Sequence, residues 1–217
     1  MDVSKQPIGD FVRRARRARD LACEVVGRRS HTRFDRYIKL FEHLASLTFP
    51  AELPFQDDPE RQTALYEGAT QLMELVEADP TIRRMGARVA REKVRLILKG
   101  KEVTPTDNGD DIARNILFEF TCATALRKAG FEVTVPEKGS DVVARHPGGV
   151  RFQVECKRPA HGGSLGARLR EADFRLRERC TLGEFGMVLI AIDRIADRAG
   201  KKHRCGTDRV FGTCQRG

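Results

Sequence analysis

The sequence predicts a mixed α/β protein of the α+β kind, with a helical N-terminal region followed by a core ordered helix, three strands, helix, strand (αβββαβ). Three observations predict it. Apolar residues recur at helical spacing through most of the first 100 residues. A polar, turn-rich stretch, PTDNGDD over Pro105 to Asp111, then interrupts the chain. Beyond it, helical stripes alternate with short β-prone runs. The expected division is an all-helical region over 1–104, a mixed core over 105–193, and a basic, poorly ordered tail over 194–217.

A first helix is expected over about 8–26, with Arg13, Arg14, Arg16, Arg17 and Arg19 opposing Ile8, Phe11, Val12, Ala15 and Leu21. Phe34–Leu47 follows, with Tyr37, Ile38, Leu40, Phe41 and Leu44 apolar, until Pro50 and Pro54 break the pattern. Asp57-Asp58-Pro59, an acidic cap with proline in the first turn, opens a third helix to about Ala78. Asp79-Pro80 repeats the signal and is expected to open a fourth, to about Leu98, ended by Gly100. Nothing in this half carries chemistry. Arg83, Arg84, Arg88, Arg91, Lys93 and Arg95 are expected to form a solvated basic face, a surface for nucleic-acid backbone being the sharper alternative.

In the second half Ile112–Ala129 is helical and closed by Gly130, and Phe131–Val135 is a strand. Asp141–Ala144 and Arg151–Lys157 flank His146-Pro147-Gly148-Gly149, a turn sequence, and so form a hairpin. Ser164–Cys180 returns to helix, with Leu165, Leu169, Ala172 and Leu176 on one stripe. Gly186–Ile192 is a continuous apolar run suited to a strand buried on both faces.

With 40 Lys and Arg against 31 Asp and Glu, the formal charge of +9 favours a polyanionic partner, nucleic acid above all. No run of 18 apolar residues exists, so no membrane-spanning helix is expected. The arginine-rich first 20 residues lack the apolar stretch of a secretory signal. Six scattered cysteines without a C-x-x-C pair fit reduced thiols and a cytoplasmic location rather than a disulfide scaffold or zinc finger. His203, Cys205 and Cys214 match no standard metal spacing.

Folding the hairpin about Gly148 sets Asp141 opposite Glu155 and Val143 opposite Gln153. Strand alternation puts Gln153, Glu155 and Lys157 on one face and Phe152, Val154 and Cys156 on the other. Two carboxylates directly across a strand pair repel, and a divalent cation is the simplest remedy. Glu119, on the preceding helix, borders the stripe of Ile112, Ile116, Phe120 and Ala123 and has no basic residue one turn away on either side. An acid so placed is costly unless a cation or strong donors meet it.

Ser140-Asp141, thirteen intervening residues, then Glu155-Cys156-Lys157 resembles the PD-(D/E)xK motif of the restriction-endonuclease-like nucleases, with Ser140 in place of the proline. The order of elements over about 110–193 is similar to that family's core, and the helix bearing Glu119 resembles its first helix. The resemblance implies a metal-dependent nuclease hydrolysing phosphodiester bonds, in DNA in preference to RNA, with a homodimer compatible. It implies that Asp141, Glu155 and the main-chain carbonyl of Cys156 bind Mg²⁺, for which Mn²⁺ would substitute, that Glu119 adds a further ligand, and that Lys157 orients or deprotonates the attacking water. Gln153, Arg158, Arg168, Arg170 and Arg175 would meet nucleic acid, while His146 and His161 are surface residues. The alternative function is a nucleic-acid-binding or interaction protein that retains the nuclease fold without cleavage.

Overall fold

The structure, a computed structural model, describes residues 6–27, 31–46, 59–100, 111–159 and 162–192. They form six helices and one four-stranded mixed sheet, and most of them are helical. The tail with His203, Cys205 and Cys214 lies outside the described residues, as do His161 and residues 105–110 of the turn-rich stretch.

Helix α1 (Gln6–Val26) buries Val12, Ala15, Ala18 and Ala22, small side chains at helical spacing that let its neighbours approach closely. α2 (Arg33–Ser46) seats Phe34, Tyr37 and Ile38 in the same core. Tyr37 lies against Gly68, where a Cβ would come within 2.7 Å of its ring, so only glycine permits this crossing. α3 runs without interruption from Pro59 to Arg84, through Pro80, and overturns the expectation of a helix start at Asp79-Pro80. The reason is the buried stripe of Leu72, Leu75, Ala78 and Ile82, which stays in phase across the proline. Packing outweighs the one backbone hydrogen bond that Pro80 cannot make. The break falls instead at Gly86, the N-cap of α4 (Ala87–Lys99), which buries Ala90, Val94 and Ile97.

α5 (Ile112–Lys128) begins where the Asp111 carboxylate accepts a hydrogen bond from the Arg114 main-chain N–H, 3.1 Å away. It ends on Ala129, with Gly130 beyond in the left-handed region at φ 89°. Ile116, Leu117, Phe120 and Ala123 belong to one continuous cluster with Leu75, Ile82 and Val94 of the helices and Val142, Ala144 and Val154 of the sheet. α5 is thus the wall shared by both halves of the molecule.

The sheet has the order β1 (Glu132–Thr134), β2 (Val142–Arg145), β3 (Arg151–Lys157), β4 (Glu184–Ile190). The first two pairings are antiparallel, and β3 and β4 run parallel across α6 (Gly162–Arg179). β4 is not buried on both faces as its apolar run predicts. It is an edge strand among the described residues, with Phe185 56% exposed. An unbroken apolar run is compatible with a half-covered edge when one helix, here α6, packs on it.

Candidate active site

β3 organises the site. The turn before it closes through Gly149 N–H to the His146 carbonyl at 2.8 Å, with Gly149 at φ 90°, a conformation that disfavours a side chain. It fixes the register Val142↔Val154 and Val143↔Gln153, which continued by one residue sets Asp141 level with Glu155. The expected register is therefore present, although β2 starts at Val142 and Asp141 stands just before it. Along β3, Val154 and Cys156 join the core cluster with α5, and alternation turns Glu155 and Lys157 to the opposite face, against α6.

Glu155 is completely buried, and among the described residues the side chains that pair with it are cationic. Lys157 Nζ donates to its Oε2 at 2.9 Å, and Arg179 donates to its Oε1. Arg175 lies 3.6 Å from Oε2. Glu171 completes the set, 2.5 Å from Arg175 and 3.9 Å from Lys157. Glu171, Arg175 and Arg179 follow one another at four-residue steps, so one face of α6 presents all three to the strand. A buried carboxylate tolerates its lost hydration only because these donors surround it.

Asp141 turns its Oδ2 to the main-chain N–H of Cys156, 2.7 Å away. Burial pushes its pKa above the ordinary range, and the charge of Glu155 adds to the shift. Glu119 projects from α5 and accepts from Lys93 Nζ at 2.7 Å. Burial nevertheless pushes it up to about 7, with Asp141 and Glu155 contributing through their negative charge. Glu119, Asp141 and Glu155 thus lie within electrostatic reach of one another, on three different elements. The Cys156 thiol is raised by its hydrogen bond with Cys122 and by burial.

Lys93 corrects the sequence reading twice. It is not part of a solvated basic face, since its side chain is only 19% exposed, and it gives Glu119 the basic partner that α5 lacks. The signal was its place beside the buried stripe of Ala90, Val94 and Ile97, but the pairing spans 26 residues and two helices. Among the expected nucleic-acid contacts, Arg158 has its side chain 4% exposed and pairs with Glu74 of α3 at 2.9 Å. Gln153 is buried, its carbonyl accepting from Ser140 Oγ at 2.8 Å and its amide donating to Glu184 at 3.1 Å. Both are engaged inside the protein. Arg168 pairs with Glu171, Arg175 borders Glu155, and Arg170 is exposed on α6. Arg179 and Glu171 escaped the sequence reading, although their four-residue spacing from Arg175 was visible in it.

Three carboxylates are the hard oxygen donors that Mg²⁺ prefers, so the residues fit that ion in kind. Their arrangement is closed around protein cations: among the described residues, no three His, Cys, Asp or Glu side chains stand as a ready ligand group. Accepting an ion requires Glu155 to release a guanidinium or the ammonium of Lys157. Comparison of the chain with protein-family models, with curated proteins and with solved structures finds no match.

Proposed function

We propose that the protein is a metal-dependent nuclease that hydrolyses phosphodiester bonds, in DNA in preference to RNA, on a restriction-endonuclease-like core. The observation that supports this is that Glu119 of α5, Asp141 just before β2 and Glu155 of β3 lie within electrostatic reach of one another, beside a strand that also carries Lys157. Burial first, and the neighbouring carboxylates after it, raise the pKa of Glu119 and Asp141, and the second of these causes is the one that a bound cation would relieve. The order αβββαβ, with antiparallel β1–β2–β3 and parallel β3–β4, supports the core assignment.

In this reading Asp141, Glu155 and Glu119 would hold Mg²⁺, which supplies Lewis-acid stabilisation of charge on the phosphate. Lys157 Nζ, which donates to Glu155 at 2.9 Å, would hold a water beside that carboxylate and donate to the developing oxyanion. Arg175, partly exposed, and Arg170 are the guanidiniums best able to reach a phosphate. The test is cleavage of plasmid and linear DNA with Mg²⁺ or Mn²⁺. Asp141→Asn and Lys157→Ala should each reduce it at least about a hundredfold, the low end for a general base or acid, with thermal unfolding still cooperative. Activity that survives Lys157→Ala sinks the reading.

A second reading is favoured by one observation, the saturation of Glu155 by Lys157, Arg175 and Arg179. On it the cluster is a structural charge network in a nucleic-acid-binding protein that does not cut. DNA binding without cleavage in either metal, unchanged by Asp141→Asn, selects it.

A further inference from the structure

Five arginines crowd α1, and the structure sorts them. Arg13 pairs with Asp10, Arg16 donates to Glu42 at 2.7 Å and Arg19 to Asp35 at 2.6 Å. Among the described residues, no hydrogen bond or ion pair meets Arg14 or Arg17. These two, three residues apart and so on one face of the helix, line a cleft of about 450 Å³ against α3. From α3 come Arg83 and Arg84, with Val76 and Pro80 as apolar lining and Asp79 as the one acid. Asp79 is held by Arg83 at 2.5 Å, and Glu24 of α1 adds a weaker attraction on Arg83. Four guanidiniums against one carboxylate leave three uncompensated positive charges in one recess. Arg84 also repels Arg127, whose pKa is lowered by burial first and by Arg84 second. Exposed guanidiniums gathered along one recess raise the local positive potential, which favours a polyanion there.

We propose that the cleft between α1 and α3 binds the phosphate backbone of nucleic acid through Arg14, Arg17, Arg83 and Arg84, as a contact separate from the carboxylate cluster. Guanidiniums match phosphate oxygens two at a time, and a recess open to solvent and rimmed from two helices can follow a polymer rather than enclose a small molecule. The overall charge of +9 supplies the attraction at a distance, and the cleft supplies the place where it becomes a contact. The proposal goes beyond the catalytic reading, since a protein that bound nucleic acid without cutting it would use the same recess.

The test is fluorescence anisotropy of the full chain with a labelled DNA oligonucleotide in EDTA, over a range of salt. R14A/R17A, and separately R84A on the opposite wall, should weaken binding, the double variant about tenfold or more, with the salt slope reduced by about one for each phosphate no longer neutralised. R13A/R16A removes the same two charges from the same helix outside the cleft and should stay within about twofold of the parent. Equal losses in R13A/R16A and R14A/R17A would overturn the proposal in favour of bulk charge, as would a double variant that binds normally. Poly-glutamate displacing the oligonucleotide as well as unlabelled DNA does, or ATP matching it mole for mole, would overturn it in favour of an acidic peptide or a small phosphate ligand. Asp141→Asn separates the two readings, because loss of cleavage there with anisotropy unchanged leaves the cleft standing, and normal cleavage there with R14A/R17A impaired removes only the catalytic assignment.

Discussion

The two halves of the molecule use the same charged residue types under opposite conditions. On the outer helices, pairs such as Arg13–Asp10 and Arg83–Asp79 are local, exposed, and made within one turn of helix. Around β3, Glu155, Lys157, Glu119 and Lys93 are largely withdrawn from water, and the pairs Lys93–Glu119 and Arg179–Glu155 join elements 26 and 24 residues apart. An exposed pair contributes little, because water and salt already solvate both partners. A buried carboxylate whose neighbours are also carboxylates is held there against its own desolvation and repulsion. Chemistry is therefore to be sought in the half where charge is arranged at an energetic cost.

Substitutions in either half put this contrast to the test. The largest effect belongs to the wall common to both halves: Phe120→Ala, at a fully buried position of α5, should cost about 3–5 kcal/mol. Hydrogen exchange should then rise together in α3 and β3; a rise confined to the sheet would mean that the halves unfold separately. Next is the strut between them. Arg158→Met removes a buried guanidinium that pairs with Glu74 at 2.9 Å and should cost about 2–3 kcal/mol in denaturant unfolding. Lys93→Met takes the ammonium from Glu119 and should cost somewhat less, because Lys93 is partly exposed, at about 1–2 kcal/mol.

Glu119 also gives a pH signature in metal-free protein. Its folded pKa of about 7 lies above the ordinary 4.5, so between these values the folded state keeps a proton that the unfolded chain has released. The resulting stability is complete below about 4.5 and is lost as pH rises through 7. Glu119→Gln should make that decline shallower, leaving the part due to Asp141, whose shift has the same sign. The groups that set it are Lys93, Asp141 and Glu155, and an unchanged slope would place the decline elsewhere. The smallest effect is expected at the surface, where Arg13→Ala should leave the unfolding midpoint where it is.

Local chemistry made the hairpin legible: Pro147, Gly148 and Gly149 specify the turn, and the period of two then fixes which residues face each other. The same kind of local signal misled at Asp79-Pro80, where the stripe through Leu75, Ala78 and Ile82 was the stronger fact. Glu119 was legible as a problem but not in its solution, because Lys93 reaches it only once α4 packs on α5. Arg158 and Gln153 look like solvent-facing polar residues in sequence. Their partners, Glu74 and Glu184, lie 84 and 31 residues away. Periodicity reports which face a residue is on; it does not report what the chain later lays across that face.

The link from Arg158 to Glu74 follows immediately after Lys157 and fastens the end of the central strand to a helix outside the mixed core. Residues 105–192 are consequently not a portable cassette. Excised and grafted onto another scaffold, they would carry a guanidinium parted from Glu74 at one corner and an acid stripped of Lys93 at another.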